Sequence, residues 1–581
     1  MRTAKPSHPS ARGARAAAVG VSLAALERAK TEFGGWAAGR KARLLRALGR
    51  RRFARAGELA RFHDVLCFLR AYPDDEVILR IVEELLAHFH RRPDLRRHRR
   101  ALVDSGIAGT EIRFRFYAHT ASWLARRWGD RLRVDWKAFG EAERLESVLN
   151  LLALYAETPA LDEYALSMKA WVDRLKGPRE TDAAFLIRRF DRLRVDGFLR
   201  ETLYEGLGLP LRLLPGPTTP ARTRERLRGG GAAFQTRPLR RRIASLRAEI
   251  ERPPVAVRAV GRRAAERLID LARETMVARG RDLDAFTHAT RDDVLLVDCG
   301  DGLRIACIGM VPERRLLLES VHGYLVLKND VPVAYGTSCA LFGSSELAYN
   351  VFETFRGAEA AHILGRVLSM VRSLFEVDSF TMVPYQLGEE NPEALRSGAW
   401  WFYQRIGFRP RDRAILRLMR EEIGARRSDA TRRSSVTTLR ALAKANVYLH
   451  LGRERDDVLG VVPLAAVGLA VSESLAHDFG ADRERAARVR SREAAALLGV
   501  RSLDAFSPGE RLAWERWSPL VTILPGVARW RREEKRALVA VVRAKGGPRE
   551  SEFVRRFDRH RRLRRSVAAL AARVVSRDPL L

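Results

Sequence analysis

The stretch NVFETFRGAEAAHIL, residues 350–364, sets one arginine and a run of small residues between a strand-like and a helix-like pattern. Arg356, Gly357, Ala358, Ala360 and Ala361 would open that helix with their backbone exposed. A first helical turn offers N–H groups without partners and the positive end of the dipole, so it suits a phosphate or diphosphate. Glu359 opposes this use. Its carboxylate favours the dipole of an empty helix but would repel an anion bound there. Further on, SGAWWFYQRIGFRP (Ser397–Pro410) puts Tyr403 four residues before Gly407-Phe408. By residue type alone, so many aromatics mark a core helix, and Gly407 followed by Arg409-Pro410 marks its end. Trp400 and Trp401 read as core and cleft lining.

Other reactive side chains offer less. Glu346, Glu353 and His322 are candidate bases only because they fall on or near predicted strands. His88 and His90 stand two apart on a helical pattern and face different ways, which does not suit a shared metal. Cys299 and Cys307 flank a hairpin turn that would not set them opposite each other. No pair of the four cysteines has metal or redox spacing, so no metal site and no disulfide framework is expected. His362 reads as structural.

These residues need elements to hold them. From Glu58 to Leu207 apolar residues recur at three- and four-residue spacing, which predicts helices throughout, including Glu141–Tyr155, Leu161–Leu175 and Thr181–Leu193. A Pro/Gly/Thr-rich stretch near Leu209–Pro238 reads as a linker. Helical patterns return at Leu239–Glu251 and Val257–Arg279, and then the period changes. VLLVDCGDGLRIACIGM reads as a hairpin turning at Gly300-Asp301-Gly302, and GYLVLKNDVPVAYGTS as another turning at Asn329-Asp330. LAYNVF and SFTMVPY are further strands with an amphipathic helix, Ala360–Phe375, between them. From about Ser435 the chain reads as helical again, with the apolar run Val458–Val471 as a buried helix starting near Pro463, too short to span a bilayer. One echo, KGPRETDAAFLIRRFDRLR (176–194) and KGGPRESEFVRRFDRHR (545–561), suggests two similar helical corners.

The expected fold class is α+β: a basic, disordered N-terminal arm (1–56), a helical domain (57–208), a linker region (209–254), a central mixed sheet with helices (255–425) and a C-terminal helical domain (426–581). In 581 residues, 106 Lys/Arg face 71 Asp/Glu, a formal charge of +35. Only ten of the 106 are lysine, so the excess is arginine. Residues 1–56 carry a net charge of +12 and residues 316–418 a net of −1, so the flanks are basic and the centre is not. Basic flanks raise affinity for nucleic acid or anionic lipid without specifying either. The runs Gly49–Arg55, Arg96–Arg100 and Arg555–Arg565 read as solvated helix faces. The few unpaired cysteines and the absence of a strong apolar N-terminal core fit a cytoplasmic protein.

The sequence hairpin, strand, Arg-Gly turn, helix, strand, aromatic helix, Gly-Phe resembles the GNAT superfamily of acyl-CoA N-acyltransferases over roughly residues 316–418. Val351, Phe355, Arg356, Gly357 and Ala361 fall in matching places, as do Ala399, Tyr403, Gly407 and Phe408. Glu359 stands where the family has glycine, and Arg396 where it often has asparagine. The resemblance implies acetyl-CoA or another acyl-CoA as co-substrate, an amine acceptor and no metal. Its diphosphate would lie at Arg356, Gly357, Ala358, Ala360 and Ala361. Its pantetheine arm would run along Leu347, Tyr349 and Val351, and Tyr403 would be the general acid that protonates the departing thiolate. Glu353 and Glu346 remain the candidate catalytic carboxylates. The alternative is a catalytically silent domain of this kind whose basic helical flanks bind nucleic acid or a protein partner.

Overall fold

The computed structural model describes residues 11–140, 142–227, 229–429 and 431–577. The chain is α+β. Contacts divide it into two compact units: Met1–Leu239 with Glu266–Thr287 and Leu327–Val333, and Arg240–Ala265 with His288–Val326 and Ala334–Leu581. These limits differ from the five segments expected, and local packing explains why.

In the first unit, helix Trp36–Arg50 buries Ala37, Lys41, Ala42, Leu45 and Leu48. That spacing of three and four residues makes one apolar stripe, while Arg43, Arg46 and Arg50 stay exposed. Lys41 Nζ donates to both oxygens of the Asp74 carboxylate at 2.8 Å, deep inside the protein. A buried ammonium requires such a partner. The segment expected to be a disordered arm is therefore helical from Ala11, and its second helix is packed. Residues 1–10 of that segment lie outside the described residues.

The same unit holds three strands, β1 (Ile112–Phe114), β2 (Leu132–Val134) and β3 (Leu211–Leu213), in an antiparallel sheet of order β1-β3-β2. This corrects two expectations, an all-helical 57–208 and an unstructured linker. Each strand is only three residues long, reading IRF, LRV or LRL, too short to set a visible period of two. Leu211, Leu213, Leu132 and Val134 join Trp123, Trp128 and Leu186 in one buried cluster.

The second unit is built on a nine-stranded sheet, of which the 327–333 hairpin tip counts with the first unit. In chain order its strands are β4 (Ala256–Ala259), β5 (Ala289–Asp298), β6 (Leu303–Met310), β7 (Ser320–Lys328), β8 (Val331–Leu341) and β9 (Ser344–Val351). They continue with β10 (Ser379–Met382), β11 (Arg409–Pro410) and β12 (Val447–His450). The spatial order is β11-β12-β10-β9-β8-β7-β6-β5-β4. Both hairpins form where the turn residues placed them. Asn329 and Asp330 have φ of 48° and 67°, the left-handed pair that a two-residue hairpin loop requires. In the other hairpin Cys307 pairs with Leu295, so Cys299 is not its partner across the ladder.

Strand β9 runs parallel to β10, the two joined through helix Ala360–Phe375, and β12 inserts between β10 and β11. Two expectations are corrected here. Strand β4 occupies residues predicted to begin a helix, which starts instead at Arg262. Strand β12 lies in a region expected to be helical; its four residues, VYLH, gain their strand conformation from two sheet neighbours rather than from local pattern. The helix after Pro463 spans Leu464–Phe479, but only Ala466 and Val467 are buried in it.

The C-terminal helices pack onto this sheet. Lys545 Nζ meets Glu550 Oε1 at 2.6 Å and the Glu319 carbonyl at 2.9 Å, both charged side chains being buried. Arg315 donates to the carbonyls of Met310, Lys545 and Gly547. Such charge-assisted contacts satisfy backbone that the sheet and helices leave unpaired. Among the described residues, no helix is long and apolar enough to cross a membrane.

Candidate functional site

The parallel ladder between β9 and β10 is short. Ser344, Ser345, Glu346 and Leu347 pair with Ser379, Phe380, Thr381 and Met382, and there it ends. Strand β10 stops at Met382 because Pro384 begins a one-turn helix, Pro384–Leu387. Residues 348–351 of β9 keep their β8 neighbours and have no strand on the other side. The side chain of Gln386 fills part of this opening, its Oε1 accepting the Tyr349 N–H at 3.2 Å.

At one end of the opening lies the helix N-terminus. Ile363 N–H donates to the Glu359 carbonyl at 2.8 Å, the first bond of helix Ala360–Phe375. No acceptor faces the N–H groups of Gly357, Ala360, Ala361 or His362 among the described residues. Gly357 has φ of 80°, a conformation that favours glycine, and the space a side chain there would fill is empty. Ala358 is buried beneath the turn and Ala361 inside the helix. Tyr349 reaches across from β9 and donates to the Ala360 carbonyl at 2.8 Å.

Glu359 does not cap its own helix. Its Oε1 accepts the backbone N–H of Arg240 at 3.0 Å, and the residue is buried. The carboxylate is thus neither turned to solvent nor directed at the helix N–H groups, although its charge stays nearby. His362 lies 3.3 Å from the Glu249 carboxylate, and burial holds its imidazole below the usual range against the pull of Glu249 and Glu359. Arg356 turns outward into an exposed ion pair with Glu393. Exposed pairs of this kind are weak and readily exchanged.

The helix itself is fixed from behind. Arg366, buried, donates to the carbonyls of Glu249 (2.8 Å), Arg252 (2.7 Å) and Pro253 (3.1 Å), and Ser369 adds a bond to Arg252. Gly365 lets the preceding helix, Leu246–Glu251, press directly against this face.

Tyr403 lies on helix Ala399–Arg405. Its ring packs edge-on to Phe402 and Phe408, and the Phe408 N–H returns to the Tyr403 carbonyl at 3.1 Å, closing the helix. The residue is buried, yet its hydroxyl has no hydrogen-bond partner among the described residues. Burial pushes the phenol well above the ordinary tyrosine range. Its near neighbour is Tyr324 on β7, raised by burial first and by Tyr403 second. Tyr324 donates to the Ala348 carbonyl of β9. It can reach there only because Gly336 lies between them: any side chain at Gly336 would collide with both the Tyr324 hydroxyl and the Ala348 oxygen.

The two carboxylates part company. Glu346 sits in register with Thr381, which is in register with Tyr448, so the three share one face of the sheet where the ladder is closed. Burial, then Glu319, pushes its carboxyl above the usual range. Glu353 is exposed in the turn after β9. No contact joins either carboxylate to Tyr403 among the described residues. His322 is not a free base; it is buried, 3.4 Å from the Asp293 carboxylate and packed on Phe375.

The structure therefore gathers Leu347, Tyr349, Val351 and the 357–361 turn around one strand, sets Tyr403 beside Tyr324, which bonds that strand, and leaves Arg356 and Glu353 on the surface. Sequence reading missed Tyr324, Gly336 and Gln386. A tyrosine inside the apolar strand GYLVLK was the available signal, since a buried phenol seeks a partner for its hydroxyl. Nothing in the sequence marked Gln386. Neither a protein-family model, nor a curated protein, nor a solved structure matches this chain.

Proposed function

We propose that the second unit is a GNAT-like acyltransferase that moves an acyl group from an acyl-CoA to an amine. One observation carries this reading. Strand β9 leaves its parallel partner beside two sets of donors without partners among the described residues, the N–H groups of Gly357, Ala360, Ala361 and His362 and the Tyr403 hydroxyl. The first set suits a diphosphate, and an exposed strand edge suits an amide-bearing arm that would displace Gln386 from Tyr349.

The chemistry needs no covalent enzyme intermediate. The amine nitrogen attacks the thioester carbonyl carbon, the carbon–sulfur bond breaks, and the sulfur takes a proton from Tyr403. The proton lost by the amine goes to a carboxylate, for which Glu346 is better suited than Glu353 because its raised basicity brings it nearer neutrality. Solvent returns a proton to Tyr403. The phenol's upward shift keeps it protonated, the form this step requires.

The test is calorimetric titration of the folded chain with acetyl-CoA, followed by product analysis with a mixture of primary amines. Saturable 1:1 heat that is lost when Ala361 is replaced by a bulky residue supports the site. A folded protein that takes up no acetyl-CoA at millimolar concentration overturns it.

A further inference from the structure

The first unit contains a cavity of about 930 Å³ whose lining is strongly one-sided in charge. Arg70, Arg96, Arg99, Arg224, Arg226 and His90 face it, against a single carboxylate, Glu83. That carboxylate is already engaged by Arg226 at 2.6 Å. Four guanidiniums therefore remain without a counter-charge in the lining.

The wall is built rather than incidental. The residues come from the end of helix Ala56–Ala71, helix Glu76–Ala87, the short helical turns after it, Ala108 and Gly109, and the irregular segment 215–227 with Gly229. Buried Arg70 holds that segment in place by donating to the carbonyls of Thr223 (2.8 Å), Arg222 (3.0 Å) and Glu225 (3.1 Å). The Nε–H of Arg70 is buried and has no partner among the described residues. Thr223 is further fixed by Ala108 N–H at 2.9 Å and His63 at 2.8 Å. Arg224 donates to the carbonyls of Gly216 and Thr219, which holds its guanidinium at the cavity edge.

Arg96 and Arg99 differ from these. Both are exposed, and neither side chain has a hydrogen bond or an ion pair among the described residues. They are outward-facing cations with nothing to neutralise them, on the mouth of a concave site. The lining also includes Leu86, Leu95, Pro215 and Pro217, an apolar surface.

We infer that this cavity binds a small ligand carrying a di- or triphosphate group. Several guanidiniums converging on one volume match several phosphate charges, and arginine recognises phosphate through paired N–H groups. The volume falls in the range of about 300–1,000 Å³ typical of small-molecule sites. No phenylalanine, tyrosine or tryptophan lines it, so it lacks the stacking platforms by which single-stranded nucleic acid is held. The site is independent of strand β9 and of the proposed acyl transfer.

The probe is inorganic diphosphate, titrated calorimetrically into the full chain at about 100 mM salt, where exposed charges beyond a Debye length are screened. Saturable binding is expected, weakened at least about tenfold in the Arg96→Ala/Arg99→Ala double variant. Because these two side chains hold nothing else, that variant should melt like the parent. Triphosphate and a nucleoside triphosphate form the second arm. Tighter binding of the nucleoside form places its organic part on the Leu86 and Pro215 wall, and equal binding assigns the site to the phosphates alone. The inference is overturned by absence of binding, by equal binding in the double variant, or by a short single-stranded oligonucleotide that binds at least about tenfold tighter through the same arginines.

Discussion

The two units present positive potential to an anion in opposite ways. Around β9 the donors are backbone N–H groups at a helix start, Arg356 has turned away to Glu393, and the nearest acidic side chain is buried beside them. In the first unit the donors are arginine side chains on a floor held by Arg70. The comparison teaches where this chain's arginines work. Arg70, Arg315 and Arg366 each bind two or more backbone carbonyls, so part of a charge of +35 is internal scaffolding. The side chains of Arg96 and Arg99, by contrast, make no bond among the described residues.

Four measurements would break or sharpen that contrast. Tyr403→Phe should lower kcat by about 10²–10⁴-fold with acetyl-CoA affinity preserved, since it removes only the transferable proton. If turnover survives intact, the phenol is a core residue and the β9 opening has another use. Next, Arg366→Met should cost about 3 kcal/mol of stability in chemical denaturation by stranding three carbonyls, whereas Arg96→Ala should stay within about 0.5 kcal/mol. Equal effects would erase the distinction between scaffold and ligand arginines.

Glu359→Gln keeps an acceptor for the Arg240 N–H and removes the charge, so acyl-CoA should bind about fivefold tighter. Weaker binding would mean that the diphosphate does not sit at this turn; Glu359→Gly, which also frees space, should act in the same direction. The smallest effect is on pH dependence. As a base Glu346 must be ionised, and its carboxyl is raised, so kcat/KM should climb with pH through a limb above the usual carboxylate range. As an acid Tyr403 must be protonated, and its raised phenol should keep the alkaline limb beyond about pH 10, the unperturbed tyrosine value. An acid limb unmoved by Glu346→Gln would transfer the base role elsewhere.

The β9 region was legible because its signals are local. Two turn residues with left-handed φ, an alternating strand, a small-residue turn and a helix of one stripe all occur within neighbouring stretches, and the predicted helix Ala360–Phe375 has those ends in the structure. Short strands such as β3 and β12 were not legible, because tertiary neighbours rather than period select them. Helix Trp36–Arg50 was misread as disordered because its arginines drew attention from the stripe of Ala37, Leu45 and Leu48. The arginine cavity was invisible for a simpler reason: His90, Arg96 and Arg224 are brought together from segments far apart, and no spacing in the chain announces it. The run Arg96–Arg100, read as a solvated face, is solvated but also borders that cavity.

The Arg70 clamp has a bearing on how the protein comes to exist. Its three acceptors lie 152, 153 and 155 residues downstream, so loop closure must precede them. During synthesis the guanidinium would emerge long before its carbonyls, and the floor of the cavity could set only after residue 225 has left the ribosome. Early translation intermediates of this unit would hold a charged side chain in waiting, and their protection from proteases at residues 222–225 should appear late and all at once.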